Sequence, residues 1–315
     1  MYRDRVRLPS LLDKVMSAAE AADLIQDGMT VGMSGFTRAG EAKAVPQALA
    51  MRAKERPLRI SLMTGASLGN DLDKQLTEAG VLARRMPFQV DSTLRKAINA
   101  GEVMFIDQHL SETVEQLRNH QLKLPDIAVI EAAAITEQGH IVPTTSVGNS
   151  ASFAIFAERV IVEINLAHNP NLEGLHDIYI PTYRPTRTPI PLVRADQRIG
   201  SGAIPIPADK IAAIVITEQA DSYSTVTPPD AETQAIADHL IVMIYTDRPG
   251  IVAVYGKEFG DASINIAGMQ IARQSAGGQA LSVLTVDSPV PDELLATVAT
   301  AIDATLLREI DIVEP

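Results

Sequence analysis

Up to about residue 217, short apolar runs rich in Ile and Val alternate with Ala- and Leu-bearing stretches of helical period. Ser17-Ala-Ala-Glu20 has the form of a capping box and predicts a helix running to Ile25. Helices are likewise predicted over Lys43–Lys54, Leu72–Ala79, Ser92–Asn99 and Ser111–Asn119, several of them stopped by glycine. Strands are predicted over Thr30–Ser34, Leu58–Thr64, Val103–Asp107, Ile127–Glu131, Val160–Asn165 and Lys210–Thr217. They read as near-continuous apolar runs, the pattern of strands covered on both faces. The alternation predicts an α/β fold built on a mainly parallel sheet. Asn169–Pro191 is proline-rich and aperiodic and reads as a long surface loop, and Asp221–Asp230 reads as a linker. From Ile241 the order becomes strand, helix, strand, hairpin turn, strand, helix, strand: Ile241–Tyr245, Ile251–Phe259, Ile264–Arg273, Ala280–Val286, Asp292–Thr300 and Leu306–Val313. This βαββαβ order is the ferredoxin-like pattern.

Chemistry-bearing residues collect where predicted strands end. Val31–Gly40, VGMSGFTRAG, passes from a buried strand into glycine and hydroxyl groups and then towards a helix. Such a junction sets backbone N–H groups and small side chains around a ligand. Pro143–Ser150, PTTSVGNS, is a second loop of the same kind. Glu131 and Glu163 each end an apolar run. Each is either a nucleophile at the sheet edge or a buried carboxylate held by backbone groups or an arginine.

Composition narrows the function. Hydrophobic residues make up 46% and aromatics only 4%, so the core is aliphatic. The net charge of −12 repels phosphate backbones, which argues against a nucleic-acid partner. Residues 241–315 carry four basic and ten acidic side chains, an asymmetry that fits two modules divided as 1–240 and 241–315. With no cysteine there is no disulfide, thiolate metal site or cysteine nucleophile. The six histidines are too scattered for a helical zinc motif. No apolar run reaches the roughly 18 residues of a membrane span. The N-terminal decapeptide lacks the apolar core of an export signal, and a cytoplasmic location is expected. No GxGxxG follows a predicted strand, which argues against a dinucleotide-dependent dehydrogenase.

The stretches VGMSGFTRAGEAKAVPQALA, LMTGASLG, HLSE, IAVIEAAAITEQGHIVPTTSVGNS, AERVIVEIN, LEGLHDI, PIPLVRADQRIG and DKIAAIV occur in order. Together they make residues from about Leu11 to Leu240 resemble the N-terminal half of the acetyl-CoA hydrolase/succinyl-CoA:acetate CoA-transferase family, the class I CoA-transferases. The resemblance implies exchange of coenzyme A between an acyl-CoA, succinyl-CoA or acetyl-CoA, and a small carboxylate such as acetate, or hydrolysis of the acyl-CoA. Coenzyme A is then a substrate, and no further cofactor or metal is expected. In that family a glutamate attacks the acyl-CoA and carries the acyl group and then the CoA covalently. The resemblance puts that glutamate in a YTEV- or YSEV-like strand end of a C-terminal half, and no such motif stands in these 315 residues. The chain alone is therefore expected to be incomplete, with a partner chain supplying the other half. By the same resemblance Ser34, Gly35, Phe36, Thr37 and Gly40, with Val147, Gly148 and Asn149, line a carboxylate pocket; turn chemistry alone is the alternative. Arg198 in ADQRIG binds carboxylate or phosphate, or else forms a structural salt bridge. His109 in HLSE is expected to cap or pack.

The last 75 residues resemble an ACT domain like that of D-3-phosphoglycerate dehydrogenase, through YTDRPGIVAVYGKEFGDASINIAGMQIAR and TLLREIDIV. That resemblance implies side-by-side pairing into a homodimer and an amino-acid effector such as L-serine, held at Tyr245, Asp247 and Asn265. A histidine and an asparagine often stand at the first two positions in such domains. The alternative is a dimerisation or stability module with no ligand. The chain reads as a composite of two unrelated pieces.

Overall fold

The computed structural model describes residues 2–33, 35–66, 72–182, 187–221, 239–273, 275 and 277–311. Ser34, Ser67 and most of the stretch read as a linker, 222–230, lie outside the described residues, as do 312–315. The chain divides into two compact units, Met1–Ser224 and Thr225–Pro315.

The first unit is built on an eight-stranded sheet. Its strands are β1 (Thr30–Met33), β2 (Ile60–Met63), β3 (Leu82–Met86), β4 (Met104–Phe105), β5 (Ile127–Ile135), β6 (Ile141–Pro143), β7 (Arg159–Asn165) and β8 (Ile211–Thr217). The order is β4-β3-β2-β1-β5-β7-β8, all parallel, with β6 antiparallel on β5. Helices cover both faces. One core joins Val31, Ile60, Leu62, Val129 and Ile161 to α1 (Ala18–Ala22), α2 (Ala44–Glu55), α3 (Leu72–Glu78) and α4 (Ser92–Asn99). The other joins Ala128, Ile130, Val160 and Val162 to α5 (Leu110–Arg118) and α6 (Ser150–Phe156). Successive residues of β5 and β7 thus feed opposite cores, which is why these strands read as continuous apolar runs. At Gly32 the α6 side chain Phe153 packs tightly on β1: a Cβ there would stand 2.7 Å from its ring.

The expected capping box is present, with the Ser17 side chain on the Glu20 N–H and the Glu20 carboxylate on Ser17. Three elements were not expected from the pattern. β3, LARRM, carries two arginines; Arg85 is fully buried and forks onto Asp73 at 2.8 and 2.9 Å. β6 and α6 flank the PTTSVGNS loop and are too short to show a period. The predicted strand Val103–Asp107 is only Met104–Phe105.

The second unit runs β9 (His239–Thr246), α7 (Ile251–Asp261), β10 (Ile266–Arg273), β11 (Gln279–Val286), α8 (Asp292–Ile302) and β12 (Leu306–Asp311). Its sheet has the order β10-β11-β9-β12, antiparallel throughout. Ile241, Met243 and Tyr245 alternate into a core with Tyr255 and Phe259 of α7 and Val298 and Ile302 of α8.

Candidate functional site

In the first unit β2, β3 and β4 lie to one side of β1, and β5, β7 and β8 to the other. The direction of winding reverses between β1 and β5. At such a switch point the loops leaving the two strands part and open a crevice beyond the carboxyl ends of the sheet. Both loops singled out in the sequence meet there. The Ser146 hydroxyl donates to the Ala39 carbonyl at 2.7 Å, and the Asn149 amide donates to the Thr64 carbonyl at 3.2 Å. Gly40 has φ +67°, and a Cβ on it would lie 2.6 Å from Ser146 Oγ. At Gly35 a Cβ would meet the Ala39 carbonyl oxygen at 2.5 Å. Phe36 and Ala39 exchange backbone hydrogen bonds of 3.0 Å, leaving the Phe36 ring 57% exposed at the tip. Thr37 takes φ 56°, a strained value for a β-branched residue, and its N–H is held by the Ala66 carbonyl at 2.9 Å. Gly35, Phe36, Thr37 and Gly40 are thereby brought beside the loop of Val147, Gly148 and Asn149.

Beneath these loops lies an ion cluster that the sequence pattern did not reveal. Lys43, at the start of α2, is buried and directs Nζ to Glu131 Oε2 at 2.6 Å and to Asp221 Oδ1 at 2.8 Å. Glu131 also accepts from Thr144 Oγ1 at 2.8 Å and Asn165 Nδ2 at 2.9 Å. Glu163, in register with Glu131 on the next strand, accepts the backbone N–H groups of Lys43, Ala44 and Val45 at 2.8, 3.1 and 2.6 Å. It thus caps the positive end of the α2 dipole. Both glutamate side chains are buried and engaged by these donors. Asp221 accepts from Lys43, Thr145 Oγ1 and the Gly40 N–H, so it belongs to this cluster and corrects the reading of Asp221 as the first residue of a linker.

Burial pushes the Lys43 ammonium towards neutrality, but the Glu131 charge and the bonds to Asp221 and Glu131 outweigh it and hold its pKa above the ordinary lysine value. Burial likewise pushes Asp221 up, and the bonds from Lys43 and Thr145 outweigh that and hold it below the ordinary carboxyl value. Burial raises Glu163, against the three helix N–H groups. His168 Nε2 is 3.4 Å from Glu131 Oε1 and 3.6 Å from Asp221 Oδ2. These three residues offer donor atoms within 4.8 Å of one another, close enough to suit a metal ion, but the Lys43 ammonium already bridges the two carboxylates. A recess lined by Lys43, Gln47, Gln75 and Gln219 opens beside the cluster.

The remaining expected site residues are not gathered here. Arg198 is exposed, next to the Ile199 and Gly200 N–H groups that Asp177 binds. His109 caps α5 through the Ser111 N–H. In the second unit Tyr245 is buried, its hydroxyl 2.7 Å from Ser282 Oγ. Asp247 pairs with Arg273 at 3.1 Å, and Asn265 is exposed with its N–H on Asp287. Among the described residues no helix is long and apolar enough to cross a membrane.

Residues 3–216 match the acetyl-CoA hydrolase/transferase N-terminal domain. The chain belongs to the acetyl-CoA hydrolase/transferase family. A succinyl-CoA:acetate CoA-transferase of Clostridium kluyveri is 44% identical over 239 residues, 75% of this chain and 44% of that protein. An acetyl-CoA hydrolase of Kluyveromyces lactis is 40% identical over 252 residues, 76% of this chain and 48% of that protein. The chain thus spans less than half the length of these family members. The solved structure of RipA from Yersinia pestis aligns with 73% of this chain and 48% of its own at a TM-score of 0.47 and 20% identity. The acetyl-CoA hydrolase/transferase match ends at residue 216, short of the second unit.

Proposed function

We propose that the first unit binds an acyl-CoA, succinyl-CoA or acetyl-CoA, and a small carboxylate such as acetate, and forms one wall of a CoA-transfer or acyl-CoA hydrolysis site. What carries this reading is the meeting of the Gly35–Gly40 and Val147–Asn149 loops at the switch point of a sheet that belongs to the acetyl-CoA hydrolase/transferase family. Ser34, Gly35, Phe36, Thr37, Gly40, Val147, Gly148 and Asn149 serve as binding residues, with Arg198 as a carboxylate- or phosphate-binding side chain. Glu131 and Glu163 are engaged on several sides, so neither supplies the covalent step, and a second polypeptide brings the nucleophile. The purified chain is expected to give no CoA transfer from succinyl-CoA to acetate, while binding acyl-CoA saturably in calorimetry. Robust turnover, abolished by borohydride only when acyl-CoA is present, would show that the chain carries its own glutamate nucleophile. Absence of both turnover and binding would remove the reading.

A second reading concerns the second unit and rests on its βαββαβ order and its β10-β11-β9-β12 antiparallel sheet, the strand arrangement of ferredoxin-like domains. In this reading residues 241–315 form an ACT-like module that makes the chain a homodimer and takes an amino-acid effector near Tyr245, Asp247 and Asn265. Titration of L-serine is expected to release heat with a dimer in solution. A monomer with no heat from any amino acid would eliminate it. The net charge of −12 argues against a nucleic-acid partner.

A further inference from the structure

The donors around Asp221 come from three separate elements. The Gly40 N–H, at the end of the first loop, lies 3.3 Å from both carboxylate oxygens. Lys43 Nζ, from the start of α2, lies 2.8 Å from Oδ1. The Thr145 hydroxyl, in the second loop, donates to Oδ2. His168 Nε2 stands 3.6 Å from the same oxygen. A cation, a backbone N–H and a hydroxyl converging on one carboxyl group are the donor set of a carboxylate receptor. Thr145 is exposed, so this place is reached from solvent, whereas the neighbouring Glu131 carboxylate, with an oxygen within 4.8 Å of one of Asp221's, is sealed and already held by Lys43, Thr144 and Asn165.

We propose that Gly40, Lys43 and Thr145 form a receptor for a small monocarboxylate, and that the Asp221 side chain is its built-in occupant. The carboxyl group is supplied from beyond β8 and ties both candidate substrate loops to that strand's end. The donors do not depend on the covalent link to Asp221. Once the side chain is removed, a free carboxylate of formate or acetate size can take its position. This seat binds a carboxylate whether or not the chain transfers CoA, so the two ideas fail separately.

The test uses Asp221→Ala in the full chain, with thermal unfolding followed in sodium formate, sodium acetate and sodium chloride at equal ionic strength. The variant should melt below the parent, and formate should restore stability saturably while chloride does not. A ligand of three heavy atoms cannot bind more tightly than about 1 mM, so half-saturation should fall on the order of 10 mM. Adding Thr145→Val to Asp221→Ala should weaken the formate effect about tenfold, the loss of one hydrogen bond to a charged group. In the parent, where Asp221 fills the seat, any formate response should be the same with and without Thr145→Val. Acetate binding by the parent that Thr145→Val removes would put a free carboxylate on these donors despite Asp221 and overturn its assignment as the built-in occupant. A folded Asp221→Ala variant that responds to formate no more than to chloride would overturn the proposal. If that variant does not fold, its refolding yield from urea is compared in formate and chloride. Recovery in formate alone supports the receptor, and equal failure in both overturns it.

Discussion

Replacing Lys43 by methionine is expected to destabilise the first unit by about 3–5 kcal/mol. Methionine keeps the length and most of the volume of lysine, so it fills much the same buried space. What is lost is the one ammonium that contacts both Glu131 and Asp221. Glu131 has no exposed surface through which water could replace it, and a buried carboxylate stripped of its counter-charge keeps its full desolvation cost. The native lysine raises no such problem, because its own burial is outweighed by Glu131 and Asp221. For a unit of this size the loss corresponds to a melting temperature lower by roughly 10 °C, read by far-ultraviolet circular dichroism. Adding Glu131→Gln should recover part of the loss, since the amide needs no counter-ion and still accepts from Thr144, while its NH2 group takes the place of the oxygen that accepts from Asn165. A Lys43→Met variant within about 1 kcal/mol of the parent would mean that the cluster is not an ion pair in solution.

Gly40→Ala is the second change with a large expected effect. It should cost about 1–3 kcal/mol and weaken acyl-CoA binding at least about tenfold. Two costs combine. Gly40 sits at φ +67°, where an alanine Cβ is strained. That Cβ would also meet Ser146 Oγ at 2.6 Å and the Ser146 backbone nitrogen at 3.0 Å. A side chain can rotate away, but a backbone atom cannot, so one of the two loops must move. The loops touch through Ser146 and Ala39, so displacement of either opens the crevice. Ser146→Ala should therefore relieve only part of the defect, and calorimetry with acyl-CoA measures both variants. Unchanged binding by a folded Gly40→Ala protein would show that the crevice between these loops is not where acyl-CoA sits.

Much of the architecture was legible because burial on two faces leaves a strong mark. The strand Ile127–Ile135 is buried throughout, and its first half reads as an apolar run; the strand predicted from the sequence ends at Glu131, whereas the observed one continues through that buried carboxylate to Ile135. The capping box at Ser17 is equally local, since two residues three positions apart, Ser17 and Glu20, determine it. β3 was illegible for the opposite reason. Its arginines look solvated in the sequence, and only Asp73 on α3 allows Arg85 to be buried. Ser150–Phe156 is a helix of two turns and shows no reliable period.

The candidate site divides in the same way. The sequence by itself determined which loops carry small and polar groups, because glycine and hydroxyl residues after an apolar run answer to backbone geometry within a few positions. It also determined family membership over most of the chain, since family resemblance is carried by residue order. Only the tertiary structure decided what Glu131, Glu163 and Asp221 do. Their partners lie far along the chain: Lys43 is 88 positions from Glu131 and 178 from Asp221. A carboxylate's role depends on which cations and N–H groups stand within about 3 Å of it. That distance is set by the order of strands in the sheet and by the start of α2, neither of which any local pattern records.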